Sequence, residues 1–96
     1  MHTVVRSYSG KGAKELVDRI EKNEKEIEKL LRSIKGFHHY YLVRTADGGF
    51  SVSVYHHKDG TDESIRVAKD WIAKNAGNLG VAPPTVLEGS AVLHFK

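Results

Sequence analysis

The spacing of hydrophobic and polar positions changes several times along the chain, and each change predicts a structural element. Residues 2–8 alternate and carry Val4, Val5 and Tyr8, the pattern of a first strand. Ser9-Gly10-Lys11-Gly12 breaks that pattern; it lacks the spacing of a phosphate-binding loop and reads as a plain turn. From Ala13 to about Lys35 the apolar positions are Ala13, Leu16, Ile20, Ile27, Leu30, Leu31 and Ile34. Steps of three and four predict one long amphipathic helix, interrupted only at Asn23 and Glu24. Pairs such as Glu15/Arg19 and Glu28/Arg32 lace its other face, each worth about 0.2–0.5 kcal/mol, and Gly36 is placed to cap it. Asn23, polar within the apolar seam, is read as capping a local contact.

Two aromatic and β-branched runs follow, Phe37 to Thr45 and Phe50 to Lys58, joined by Ala46-Asp47-Gly48-Gly49. An Asp-Gly pair between such runs is a hairpin signal. Thr61 or Asp62 then suits an N-cap, and Ile65, Ala68, Ile72, Ala76 and Leu79 form a second helical stripe beside Val67 and Trp71. Gly80 and Pro83-Pro84 stop that helix, and residues 85–95 alternate as a last strand.

Strand, helix, hairpin, helix, strand is the α+β, ferredoxin-like βαββαβ order: a four-stranded antiparallel sheet with two helices on one face. With Asp47-Gly48 as the turn, Tyr40 faces Tyr55, His38 faces His57 and His39 faces His56. Phe37, His39, Tyr41, Val43, Phe50, Val52, Val54 and His56 then share a face, and its apolar middle assigns it to the helices. The bare face would carry Arg6, Tyr8, His38, Tyr40, Leu42, Arg44, Ser53, Tyr55, His57, Val92 and His94. That set is too aromatic for an idle wet surface and too polar for a core, so a partner is expected to cover it.

Size and composition narrow the class. Ninety-six residues make one domain, spanning 1–96, and so small a core gains from a second subunit. With no cysteine, disulfides and thiolate chemistry are excluded. There is no apolar run for a signal peptide or a membrane span, and a cytoplasmic protein is expected. The net charge of +3 is spread along the chain without a block of like charge, which gives no footprint for nucleic acid. RNA-recognition domains share this strand order, but Gly49-Phe50-Ser51-Val52 lacks the leading basic residue of their motif, and the expected register turns Phe50 inward.

The histidines and tyrosines carry the candidate chemistry. Opposed strand residues lie about 4.5–5.5 Å apart at Cβ, so His38 and His57 could share a divalent metal, with His94 the further histidine on that face. The plainer reading, strand-end imidazoles with no metal, is adopted. Tyr40 and Tyr55 suit hydrogen bonds to a ligand or the anchoring of an interface. Arg6 and Arg44 suit a carboxylate or phenolate, or an ion pair between subunits. Trp71 is expected in the core, with a ligand wall as the alternative. The candidate catalytic set is therefore His38, His57, Tyr40 and Tyr55. The candidate ligand-binding set is Arg6, Tyr8, Arg44, Ser53, Trp71 and His94.

Through Val4-Val5-Arg6-Ser7-Tyr8, the long first helix ending at Ile34-Lys35-Gly36-Phe37, and the hairpin, the chain resembles the dimeric α/β-barrel superfamily. That group includes antibiotic-biosynthesis-type monooxygenases and related stress-responsive proteins. The resemblance implies a homodimer, without nucleic-acid or membrane partners, that binds a small aromatic or anionic organic ligand and acts as a cofactor-independent monooxygenase-like enzyme. The alternative is a non-catalytic assembly domain. The haem-degrading branch uses an Asn, a Trp and a His, and Asn23 and Trp71 do not reproduce its spacing.

Overall fold

The computed structural model describes all 96 residues. Strand β1 (His2–Ser9) leads to helices α1 (Ala13–Lys22) and α2 (Glu24–Arg32), then to the hairpin of β2 (Phe37–Thr45) and β3 (Gly48–Tyr55). Helix α3 (Lys58–Ala76), a short 3-10 turn (Gly77–Leu79) and strand β4 (Thr85–Ser90) complete it. The four strands form one sheet in the order β2-β3-β1-β4, with antiparallel neighbours throughout. This is the expected ferredoxin-like α+β architecture.

The expected single first helix is two. Asn23 adopts φ −108° and ψ 30°, and its side-chain amide donates to the Arg19 carbonyl at 2.8 Å. It thus caps α1 while the chain turns into α2, because a short amide competes well with the backbone for such carbonyls. Helix α3 begins at Lys58, ahead of the expected Thr61 or Asp62 cap. His57 is the extended residue before it, and Thr61 is fully buried inside the first turn with its hydroxyl donating to the Lys58 carbonyl at 2.9 Å. Gly60 permits this: a Cβ there would sit 2.7 Å from the Tyr55 ring.

The hairpin register also differs. The turn is Ala46-Asp47, with Thr45 already paired to Gly48, so Tyr40 faces Ser53 rather than Tyr55. Gly48 and Gly49 serve close packing instead of the turn. A Cβ on Gly49 would meet Val17 Cγ2 at 2.7 Å, so α1 rests directly on bare β3 backbone. This register sets His39 opposite Val54 and so removes the expected His38–His57 and His39–His56 pairings; a bulge at His38 then separates the Phe37–Tyr55 and His39–Val54 pairs. The expected last strand is shorter as well. It ends at Ser90, and residues 91–96 leave the sheet after Ala91 donates to the Met1 carbonyl.

The largest correction concerns the faces. Val4, Arg6, Tyr8, Ser51, Ser53 and Tyr55 are buried beneath the helices, while Val5, Phe50, Val52 and Val54 turn to the open side. Tyr41 and Leu87 lie on that open side too, 57% and 67% exposed. The more apolar face is therefore bare, the reverse of expectation. The compact core, Tyr8, Ala13, Leu16 and Ala76, fills only one end of the space under the helices. The rest is a cleft whose sheet floor carries Arg6, Ser51 and Ser53, so apolarity of the strands does not mark which face the helices cover. Phe50 is likewise not inward; it is ringed by Val43, Val52 and Ser7, without a Lys or Arg to attract a phosphate backbone.

Candidate functional site

Between sheet and helices lies an outer cleft of ≈ 430 Å³, walled by Ile20 of α1, Ile27 and Leu31 of α2, and Phe37, Tyr40 and Leu42 of β2. Its rim holds charged pairs. Arg44 binds Asp18 at 2.5 Å and Glu21 at 2.7 Å, tying β2 to α1. Arg32 binds Glu28 at 2.8 Å and lies 5.1 Å from the Phe37 ring centre. Arg44 thus closes an intrachain bridge at the mouth of the cleft it lines.

Deeper in, and sharing Ile20, Ile27, Leu31, Tyr40 and Leu42 with the cleft, is a chamber of ≈ 40 Å³. Its floor is Arg6, Tyr8, Ser51 and Ser53; Trp71 and Ser64 of α3 form its roof. Alternation sets the floor, since every second residue of β1 and β3 points at the helices. A third recess, ≈ 280 Å³, opens beyond Arg6 and Tyr8 beside Lys69 and Pro83-Pro84.

The chamber's polar atoms are incompletely satisfied. Tyr8 hydroxyl, Trp71 Nε1 and Arg6 Nε are buried without a hydrogen-bond partner. Arg6 is only 6% exposed and takes part in none of the chain's ion pairs. Its guanidinium carbon lies 5.5 Å from the Tyr8 ring centre. Ser64 is occupied, donating to the Thr61 carbonyl, and Tyr55 donates to the Leu31 carbonyl at 2.8 Å. Tyr55 is consequently a structural tie under α2 in this structure. Burial pushes the Tyr40 phenol up to about 12 and raises Tyr8, although the Arg6 charge opposes both. These hydroxyls stay protonated and act as donors at neutral pH. No carboxylate or imidazole lines the chamber.

Of the residues singled out in the sequence, Arg6, Tyr8, Tyr40, Ser53 and Trp71 come together here. His38, His57 and His94 do not. His38 instead gathers His39, His56 and His94 at ring-centre distances of 4.4, 5.4 and 6.1 Å, at one end of the sheet. No three of the chain's His, Asp or Glu side chains are arranged to hold a metal ion. Sequence reasoning missed Ser51 and Phe37. Ser51 was legible as the alternate of Ser53, whereas Phe37 reaches the cleft only through the bulge.

No protein-family model and no curated protein matches the chain. Solved structures do match it in shape. A putative antibiotic biosynthesis monooxygenase from Bordetella bronchiseptica aligns with TM-score 0.67 at 20% identity, over 96% of this chain and 97% of its own. A dimeric ferredoxin-like protein from an uncultured marine organism aligns with TM-score 0.70 at 11% identity, over 99% and 95%. SnoaB, a cofactor-independent oxygenase from Streptomyces nogalater, aligns with TM-score 0.65 at 16% identity, over 97% and 94%. The chain shares with these proteins the ferredoxin-like fold, the architecture expected of the dimeric α/β-barrel superfamily.

Proposed function

We propose that the protein is a homodimer that binds a small, ring-bearing organic ligand in the cleft and acts on it as a cofactor-independent, monooxygenase-like enzyme. The observation that carries this reading is the pair of buried, unpartnered donors, Tyr8 hydroxyl and Trp71 Nε1, at the closed end of an apolar cleft. Buried donors without partners cost about 1–3 kcal/mol each, a cost that a ligand oxygen would offset. The same donors, with Tyr40 kept protonated by burial, would stabilise negative charge on that oxygen while the ring gives up electrons to dioxygen, one oxygen atom entering the ring and the other leaving as water. Structural neighbours that are oxygenases support the reaction class.

The non-catalytic assembly reading is favoured by a different observation. The accessible surface is 6317 Å², against about 5,500 Å² expected for a monomer of this mass. Dimerisation and ligand binding are compatible, so this reading competes only for the catalytic part.

Fluorescence of Trp71, the single tryptophan, tests the first part with 1-naphthol and related hydroxynaphthalenes as probes. Saturable quenching with dissolved-oxygen uptake is the expected outcome. Binding without uptake removes the enzyme reading, and no binding leaves assembly as the function.

A further inference from the structure

Arg6 is the one charged side chain in the chamber, and the fold leaves it without a counter-ion. A guanidinium remains charged throughout the physiological range. Its position is nonetheless almost sealed, at 6% exposure, and its Nε has no partner. The third recess, on the far side of Arg6 and Tyr8, contains Lys69 and no carboxylate. Neither side of the guanidinium therefore offers the chain's own anion. The Tyr8 ring is the available compensation, and cation–π attraction supplies about 2 kcal/mol or somewhat more when desolvated, against the several kcal/mol that desolvating an ion costs. A buried, uncompensated charge of this kind marks a place where a ligand brings the opposite charge.

Size divides the work between the two spaces. The chamber at ≈ 40 Å³ holds a head group but not a ring, whereas the adjoining cleft at ≈ 430 Å³ takes a ring or a short chain. Tyr40 and Leu42 line both, so one molecule can pass from cleft to chamber. No chamber residue could remove a proton from the ligand, which therefore enters as an anion or ionises under the influence of Arg6.

We propose that the ligand is an amphipathic organic acid. Its carboxylate or phenolate head pairs with Arg6 and accepts from Tyr8 and Trp71, and its apolar body lies along Ile20, Ile27 and Leu31 in the outer cleft. This rests on the ligand-binding reading above and adds the charge, the orientation and the residue that selects them.

The test titrates the full chain with 4-phenylbutyrate and with its neutral counterpart 4-phenylbutan-1-ol, followed by Trp71 fluorescence and by the thermal unfolding midpoint. The acid is expected to bind at least about tenfold more tightly than the alcohol, as a charge-assisted contact predicts. Arg6→Met should erase that preference while keeping alcohol binding, and should raise the midpoint of the unliganded protein because an unpaired buried charge is gone. Tyr8→Phe, which keeps the ring, should weaken the acid more than the alcohol. With 4-nitrophenol, a bound form that is yellow below the pH at which the free phenol ionises assigns a phenolate head; tight 4-phenylbutyrate without that shift assigns a carboxylate. Equal affinity for acid and alcohol, or a preference that survives Arg6→Met, overturns the charge assignment while the cleft remains a ligand site. Failure of all three probes to bind overturns both.

Discussion

The Tyr55 hydroxyl donates to the main-chain carbonyl of Leu31 across 2.8 Å, joining the end of β3 to the last turn of α2 inside the protein. Tyr55 is fully buried and Phe37 meets it edge-on at 5.7 Å, so a bulge in β2 and the end of a helix converge on one phenol. A helix terminus exposes carbonyls that lack intrahelical partners, and this one is shielded from water. Tyr55→Phe would leave the ring packed and the carbonyl with only the longer bond it accepts from Ile34 N–H at 3.3 Å. The expected loss is about 0.5–1.5 kcal/mol in urea-unfolding stability. A variant as stable as the parent would show that the tie contributes nothing.

Three of the four tyrosines are held protonated by burial, and that has an alkaline consequence. Tyr40 and Tyr55 rise from the ordinary phenol value of 10 to about 12, and Tyr8 rises as well. Raised folded-state values mean that the native protein keeps protons which the unfolded chain releases. The stability is therefore complete below pH 10 and lost as pH climbs from 10 through 12. Spectrophotometric titration at 295 nm should show a late ionisation step that coincides with unfolding. Tyr40→Phe should shrink it. Phenols that all ionise near 10 with the fold intact would contradict the buried placement.

The elements were legible in the sequence because each is announced locally: alternation in β1, a stripe in α1 and α3, punctuation at Gly36 and Pro83-Pro84. The sides of the sheet were not. A period of two separates Val5 from Arg6 but does not say which belongs under the helices, and the customary rule that the apolar set goes inward fails when the interior is a cleft. The set Arg6, Tyr8, Tyr40 and Ser53 was still found, since same-face residues stay together whichever way the face turns; Trp71 joins it because that face lies under α3. The histidine pairing failed for a different reason. It depended on which two residues make the turn: Ala46-Asp47 pairs Thr45 with Gly48, one residue short of the Asp-Gly signal, and so sets His39 against Val54.

His38 offers an acid-side measurement. Its Nδ1 is shielded without a partner, and its imidazole is pushed below the ordinary histidine range by desolvation first, then by the charges of His39, His56, His94 and Lys96. The cations come from β2, from the β3–α3 junction and from the segment after β4, and no carboxylate offsets them. A depressed value means that the folded arrangement favours the neutral ring. Its stabilisation is present above the ordinary histidine range and disappears as pH falls through the lowered one. NMR titration of the imidazoles should find His38 titrating last on acidification, and His94→Gln should move it upward. An unchanged midpoint in that variant would separate residues 91–96 from the cluster.

The open sheet face gives the clearest test of assembly. Val5 pairs with Val52 near its centre, flanked by Val54 and Leu87, and Tyr41 and Val43 extend it to the β2 edge. Beyond β4, Val92, Leu93 and Phe95 are 90%, 75% and 86% exposed, more apolar surface than a lone monomer of this size usually presents. Two such faces in contact would bury Val52, and a lysine placed there would be desolvated without a partner, at a cost of several kcal/mol. Val52→Lys should therefore shift sedimentation velocity from dimer to monomer. It should leave the Trp71 environment unchanged, because Val52 and Trp71 lie on opposite sides of the sheet. A parent protein that already sediments as a monomer would refute the homodimer, and a variant that stays dimeric would place the interface elsewhere.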